Sequence, residues 1–216
     1  MPRQSQTRDR LVRTAAELFW SRGYAQTGVS SIMKHARATS GSFYHFFSTK
    51  DDLLLAVLEA VGERLDFEIL SQAEEASDDP SRRMMALADA YRASAASDST
   101  AFGIPVGALT CELGAGHESA LRRVDEIYGR FASRIAGWFA DGDVGMNHLE
   151  LAGFVVASLE GAAILAKAHR DTGPIDGCVV QLRLHMEALS GAAAHHSERM
   201  PVPASLGDEV GDWKAW

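Results

Sequence analysis

Thr27–Lys50 reads TGVSSIMKHARATSGSFYHFFSTK, and the rest of the chain is organised around it. Two short helices fit this stretch. The first starts near Ser30, whose hydroxyl suits a cap on free backbone N–H groups. It carries Ile32, Met33 and Ala36 on one side. Arg37-Ala38 interrupts it. The second starts at Thr39 or Ser40 and runs to about Phe46, with Phe43, Phe46 and Phe47 spaced to face a core. Its opposite face shows Thr39, Ser40, Ser42, Tyr44 and His45, all hydrogen-bonding groups. Two helices joined by a tight turn, the second polar on its outer side, form a helix-turn-helix. Such a second helix enters the DNA major groove with its N-terminal residues on base edges.

Working outward, the net charge of −8 looks wrong for a nucleic-acid binder, but its distribution resolves this. Residues 1–50 carry a net +6 and residues 51–216 a net −14. A cationic head on an acidic body is what phosphate attraction at one end requires. With 46% hydrophobic and 23% charged residues over 216 positions, the chain has ample material for a core and suits one or two domains. No run approaches the roughly 18 apolar residues of a membrane span. The polar start MPRQSQTRDR shows no signal peptide, and Cys111 and Cys178 are far apart, so a reduced, cytoplasmic protein is expected.

An all-α chain is expected throughout. Residues 7–22 read as a helix through Leu11, Ala15, Leu18 and Phe19, closed by Gly23 at a C′ position. Thr49-x-x-Asp52 is a capping-box pattern that starts a long helix, extending to about Ala76. Asp79-Pro80 restarts the chain as a helix. Residues 97–104 form a loop, 105–112 a short helix, and 117–140 a long one with Leu121, Val124, Tyr128, Phe131, Ile135 and Trp138 on one stripe. Asp141–Gly145 is a turn. Asn147 caps a helix over 148–170, and Gly173-Pro174 precedes a last helix that Gly191 closes. The tail 192–216, with Pro201, Pro203 and Gly207, is expected to be loosely ordered.

The central stretch resembles the TetR family of bacterial repressors. Their pattern there is Ala-Gly-Val-Ser-x-Gly-x-Leu-Tyr-x-x-Phe-x-x-Lys-x-x-Leu. Gly41, Tyr44, Phe47, Lys50 and Leu53 fall in register. Arg37 stands where the family has Gly, and Ser40 where it often has Lys. A positive φ at Arg37 would cost on the order of 1 kcal/mol relative to Gly. Gly103-Ile104-Pro105-Val106-Gly107 is similar to the Gly-Cys-Pro-Val-Gly signature of the branch controlling multidrug and flavonoid responses, with Ile104 in place of Cys.

The resemblance implies a helix-turn-helix DNA-binding domain over residues 5–65, with the motif at about 28–47, and an effector-binding and dimerisation domain over 66–191. Its partners would be a double-stranded palindromic DNA operator, a small-molecule effector and a second copy of the chain. Ser40, Ser42 and His45 are expected on base edges, and Ser30, Thr39, Tyr44 and Lys50 on phosphates, which position without reading sequence. Tyr91, Phe102, Leu109, Phe131, Trp138 and Phe154 are candidate lining groups of an effector pocket. The dimer is expected to form on Leu151, Gly153, Phe154, Ala157, Gly161, Leu182 and Met186, where small residues spaced by four let a helix approach. No nucleotide loop, nucleophile motif or paired-Cys zinc spacing appears, so no cofactor, metal or catalytic residue is expected. Cys111-Glu112 with His117 reads as a mixed helix face rather than a ligand set. The competing reading is an architectural DNA-binding protein without an effector.

Overall fold

The computed structural model describes residues 2–96, 106–114, 116–140 and 147–195. The expected loop around Phe102, the Asp141–Gly145 turn and the tail beyond His195 lie outside them. Among the described residues the fold is all-α. Helix α1 (Pro2–Arg22) packs over α2 (Val29–His35) and α3 (Ser40–Phe46). It begins before the expected residue 7. Leu11, Ala15, Leu18 and Phe19 are buried beneath the α2–α3 pair, against Ile32 and Phe43.

The turn between α2 and α3 has a specific chemistry. The Arg37 N–H donates to the Lys34 carbonyl at 3.2 Å and the Ala38 N–H to the Met33 carbonyl at 2.9 Å. This is the nested pair of a Schellman ending, and it puts Arg37 at φ 50. Such a φ favours glycine, the residue that the resembled pattern has at this position. Arg10 Nε, reaching from α1, donates to the neighbouring Ala36 carbonyl at 2.6 Å and fixes the turn from behind. The cap of α2 differs from expectation: Gly28, not Ser30, is the N-cap, and it supplies no side-chain bond.

Thr49 and Asp52 form the reciprocal capping box, at 3.0 and 2.9 Å, that starts α4 (Lys50–Arg64). The long helix does continue to Ala76, but not uniformly. A π-helical segment (Leu65–Leu70) joins α4 to α5 (Ser71–Ala76). Its widened turn leaves the Asp66 carbonyl open to several donors: the Ser71 N–H, Ser71 Oγ at 2.9 Å and Arg134 Nη1 at 3.1 Å. Such bulges persist where the freed carbonyl finds partners.

Helices α6 (Pro80–Ala96), α7 (Val106–Thr110), α8 (Glu118–Gly137), α9 (His148–His169) and α10 (Gly173–His195) complete the body. α8 packs against α4 and α9, and α10 against α6 and α9. Gly191 does not close α10, which runs on to His195. Asn147 caps α9 by accepting the Leu149 N–H at 2.9 Å.

By length and composition alone α9 would be apolar enough to cross a membrane, contrary to the expectation that no run qualifies. Its apolar residues divide between two faces. Leu151, Val155 and Leu159 are buried in the body, while Phe154, Ile164 and Leu165 are exposed.

Candidate nucleic-acid interface

Thr39 is the N-cap of α3, and its Oγ1 accepts the Ser42 N–H at 3.1 Å. The two hydroxyls lie 2.9 Å apart. Thr39 and Ser42 are therefore partly committed to building the helix start. Ser40, Gly41, Tyr44 and His45 stand on the exposed face, with Tyr44 59% exposed. Phe43 and Phe47 hold the opposite face in the core, and Phe43 braces the Tyr44 ring edge-on at 5.3 Å. Phe46 is only partly buried. The hydroxyl-rich side thus points out because the aromatic side points in.

Gly41 is informative by what surrounds it. A Cβ there would meet nothing within 4 Å. Glycine in a helix is unfavourable by roughly 0.5–1 kcal/mol relative to alanine, and packing inside this chain does not require it. Around α3 lie further exposed groups: Ser30, Lys34, Arg37. Arg22 approaches Ser31 and His35 at 3.4 and 3.5 Å. The motif reading did not single out exposed Lys34 and Arg37. Their signal was the +6 charge of the first fifty residues.

Lys50 requires a correction. Its ammonium is turned inward, donating to the Tyr24 carbonyl at 2.6 Å and lying 3.9 Å from the Tyr24 ring centroid. Burial lowers its pKa, while Asp51 and Glu112 act in the opposite sense. As placed, Nζ is a tie between α4 and the segment after α1, not a free phosphate ligand. Tyr24 is held in turn by Asp51, which accepts its hydroxyl; burial and that carboxylate raise the tyrosine pKa.

In the body, Phe102 lies outside the described residues, and the other five candidate pocket residues do not gather at one place. Tyr91 is buried and donates to Glu160 Oε1 at 2.8 Å. Leu109 packs partly buried near the same region, on α7, and Phe131 is plain core. Trp138 Nε1 donates to Glu74 at 3.1 Å, where Arg134 also ion-pairs. Phe154 is 51% exposed and stacks on His185 at 5.3 Å, so it lines no interior pocket. A groove of about 530 Å³ lies between α6 and α10, lined by Ser81, Arg82, Met85, Arg183, Met186 and Glu187, and includes none of the five described candidates.

Glu160 was overlooked in the sequence. Its carboxylate is partly buried and accepts the Tyr91 hydroxyl and the Gly107 N–H, the latter at 3.2 Å. Burial raises its pKa and these donors oppose the rise. The signal was a lone acid in the apolar run of α9.

The dimer expectation splits the same way. Leu151, Leu182 and Met186 are buried inside the subunit, so they are core rather than interface. Gly153, Phe154 and Ala157 are exposed and Gly161 half-buried, and they continue into exposed Ile164 and Leu165. Val180 and Leu184 of α10 are exposed as well.

A three-helix head with an outward polar third helix, fused to a larger helical body, defines a helix-turn-helix transcriptional regulator. Residues 11–57 match the model of the bacterial regulatory proteins of the tetR family, and residues 80–181 match the LmrA/YxaF-like regulator C-terminal domain. An HTH-type transcriptional regulator of Mycobacterium tuberculosis is 32% identical over 185 residues, covering 82% of this chain and 92% of that one. The chain belongs to the TetR family. HTH-type transcriptional regulator LmrA of Bacillus subtilis is 27% identical, covering 82% of this chain and 96% of its own length. A solved TetR regulator from Chloroflexus aurantiacus superposes with a TM-score of 0.76 at 22% identity, covering 87% of this chain and 97% of that one. That likeness supports the fold.

Proposed function

We propose that this DNA-binding regulator is a cytoplasmic, ligand-released repressor acting as a homodimer on a palindromic operator. The observation that carries the reading is the exposed face of α3, where Ser40, Gly41, Tyr44 and His45 project without serving the core. Ser40, Ser42 and His45 read base edges; Ser30, Thr39 and Tyr44 hold phosphates, joined by Lys34 and Arg37. Lys50 supports the head from within.

Two heads are required because half-sites recur about 34–36 Å apart or at multiples of that. The exposed strip of Gly153, Phe154, Ala157, Ile164 and Leu165, with Val180 and Leu184, supplies an unsatisfied apolar face for the second copy. Apolar surface of that kind on a soluble body marks an interaction site. The effector seats inside the body near Tyr91, Leu109 and Glu160, and its occupancy alters the separation of the two α3 helices.

The test has two arms. Duplexes selected from a random pool should converge on a palindrome bound by two chains, and the promoter occupied in cells should contain it. A monomer that binds no duplex at low ionic strength overturns the reading. A small-molecule thermal-shift screen should yield a compound that stabilises the protein and weakens operator binding. Intact operator binding with no such compound would favour the architectural alternative.

A further inference from the structure

We propose that Glu112 is a positioning residue that latches the body onto the DNA-reading head, and that the partly buried Glu160 sets this latch through α7. The proposal rests on the operator-binding reading above and adds the route between the two parts.

The head presents one corner to the body, at the end of α1. The Ala25 N–H donates to Glu112 Oε2 at 3.1 Å. Gly23, two residues before, adopts φ +88, and a Cβ on it would fall 2.7 Å from Glu112 Oε1. The left-handed backbone requires glycine there, and the mobile carboxylate end of the exposed Glu112 lies close against it. The same corner is gripped from α9, where Lys167 Nζ donates to the Trp20 carbonyl at 2.6 Å and lies 3.9 Å from the Trp20 ring centroid. Burial depresses the Lys167 ammonium, and Glu112 acts against that depression. Lys50 is within the field of the same carboxylate. Glu112 therefore binds a backbone donor at the end of α1, and the two ammonium groups that bond Tyr24 and Trp20 at the same corner feel its charge.

Glu112 is rigidly joined to the interior. The Cys111 N–H donates to the Gly107 carbonyl at 3.2 Å, Glu112 N–H to Leu109 at 3.0 Å and Leu113 N–H to Thr110 at 3.0 Å. These bonds carry the short helix on through a turn to Leu113. At its other end, the Gly107 N–H is held by Glu160 Oε2 at 3.2 Å. A Cβ on Gly107 would lie 3.0 Å from that oxygen and 3.4 Å from the Tyr128 hydroxyl. That hydroxyl is buried and lies in the field of the same carboxylate. Glu160 and Lys167 are seven residues apart on α9, hence on one face about 10 Å apart. A change at Glu160 reaches the corner of the head both along α7 and along α9. Displacing the Gly107 N–H from Glu160 moves α7 as a unit, and Glu112 with it.

Amide hydrogen exchange on the full-length protein tests this without knowledge of the effector. Exchange in the segment 20–28 is read against a control segment in α8. Glu112→Ala should speed exchange at the Ala25 amide about tenfold, the factor that loss of a hydrogen bond of about 1.4 kcal/mol gives. Glu160→Gln and Gly107→Ala, both remote from Ala25, should speed it in the same direction. No change in Glu112→Ala removes the latch. No change in either remote variant removes the relay. Where a variant also speeds the α8 control it is unfolding globally, and Tyr91→Phe, which deletes only a donor to Glu160, carries the test with the same outcomes. In a second arm, Glu112→Ala should weaken binding of the selected operator roughly three- to tenfold through lost pre-organisation of the head. Unchanged affinity overturns the positioning role. A parent protein that binds no duplex sinks the functional reading, and the exchange result stands apart from it.

Discussion

Gly41→Ala separates the needs of the fold from the needs of the interface. Gly41 lies in the first turn of α3, and a Cβ added there has nothing within 4 Å to meet. The free protein should therefore gain stability. Alanine restricts the unfolded chain and favours the helix, worth roughly 0.5–1 kcal/mol. For a chain of this size that corresponds to a rise of about 1–4 °C in melting temperature. On DNA the outcome reverses. The methyl group stands on the face that Ser40, Tyr44 and His45 share, where backbone must approach phosphate or base edges closely. Operator affinity should fall about tenfold, equivalent to about 1.4 kcal/mol. Melting curves and a fluorescence-anisotropy titration with the selected operator measure the two quantities on the same preparations. Higher stability with unchanged affinity would remove this face of α3 from the interface. Lower stability would show that the position is not open, and the reasoning from its surroundings would fail.

Tyr44→Ala should weaken operator binding while leaving melting within about 0.5 kcal/mol, since the side chain is 59% exposed; unchanged affinity takes Tyr44 out of the interface. Arg37→Gly should relieve the left-handed backbone strain at φ 50 by about 1 kcal/mol and make the salt dependence of DNA binding shallower by about one phosphate contact; urea titration and salt-dependent affinities check the two halves. Glu160 contributes a pH signature. Its folded pKa is raised, so the stabilisation it gives is fully present below the ordinary carboxylate value of 4.5 and is lost as pH rises through the folded value. Relative to Glu160→Gln, the parent should lose stability from about pH 4.5 upward in urea melts; a pH-independent difference contradicts the burial argument. Leu165→Lys with Leu184→Lys should turn the dimer into monomer in sedimentation, with little effect on subunit melting, because both side chains are more than half exposed; a persistent dimer places the interface elsewhere.

The head was the most legible part of the sequence because its signals are local. The Thr49–Asp52 capping box, the aromatic spacing of Phe43 and Phe47, and Gly23 at a helix end each act within a few residues, and each appears in the structure. Long-range polar choices were less visible. Lys50 stands at the expected place in the motif, but its ammonium follows a carbonyl 26 residues away rather than the solvent. Glu160 and Gly107 meet across 53 positions, and no periodicity signals such a pair. On α9 the pattern correctly marked an apolar helix, but period alone does not say which stripe faces inward. Leu151 went to the core and Phe154 to the surface, although both had been assigned to one interface. The π-helical segment was likewise invisible, because it depends on Arg134 and Ser71 converging on the Asp66 carbonyl.

The charge balance of the chain can now be placed on the structure. A net charge of −8 would repel DNA if the molecule acted as a point. At physiological ionic strength, however, screening limits the reach of exposed charge to about 8 Å. A phosphate beside α3 therefore responds to Lys34, Arg37 and the arginines of α1 more than to acids on remote body helices. The acidic body still matters where it approaches the head, and there its carboxylates are occupied. Glu112 faces the Ala25 N–H with two lysines in its field, and Asp51 holds the Tyr24 hydroxyl. Negative charge at the seam is thus spent on fastening the head, not on facing the DNA side. The same arrangement opposes non-specific adhesion of the body to nucleic acid, which leaves the basic head as the surface that phosphate attraction can use.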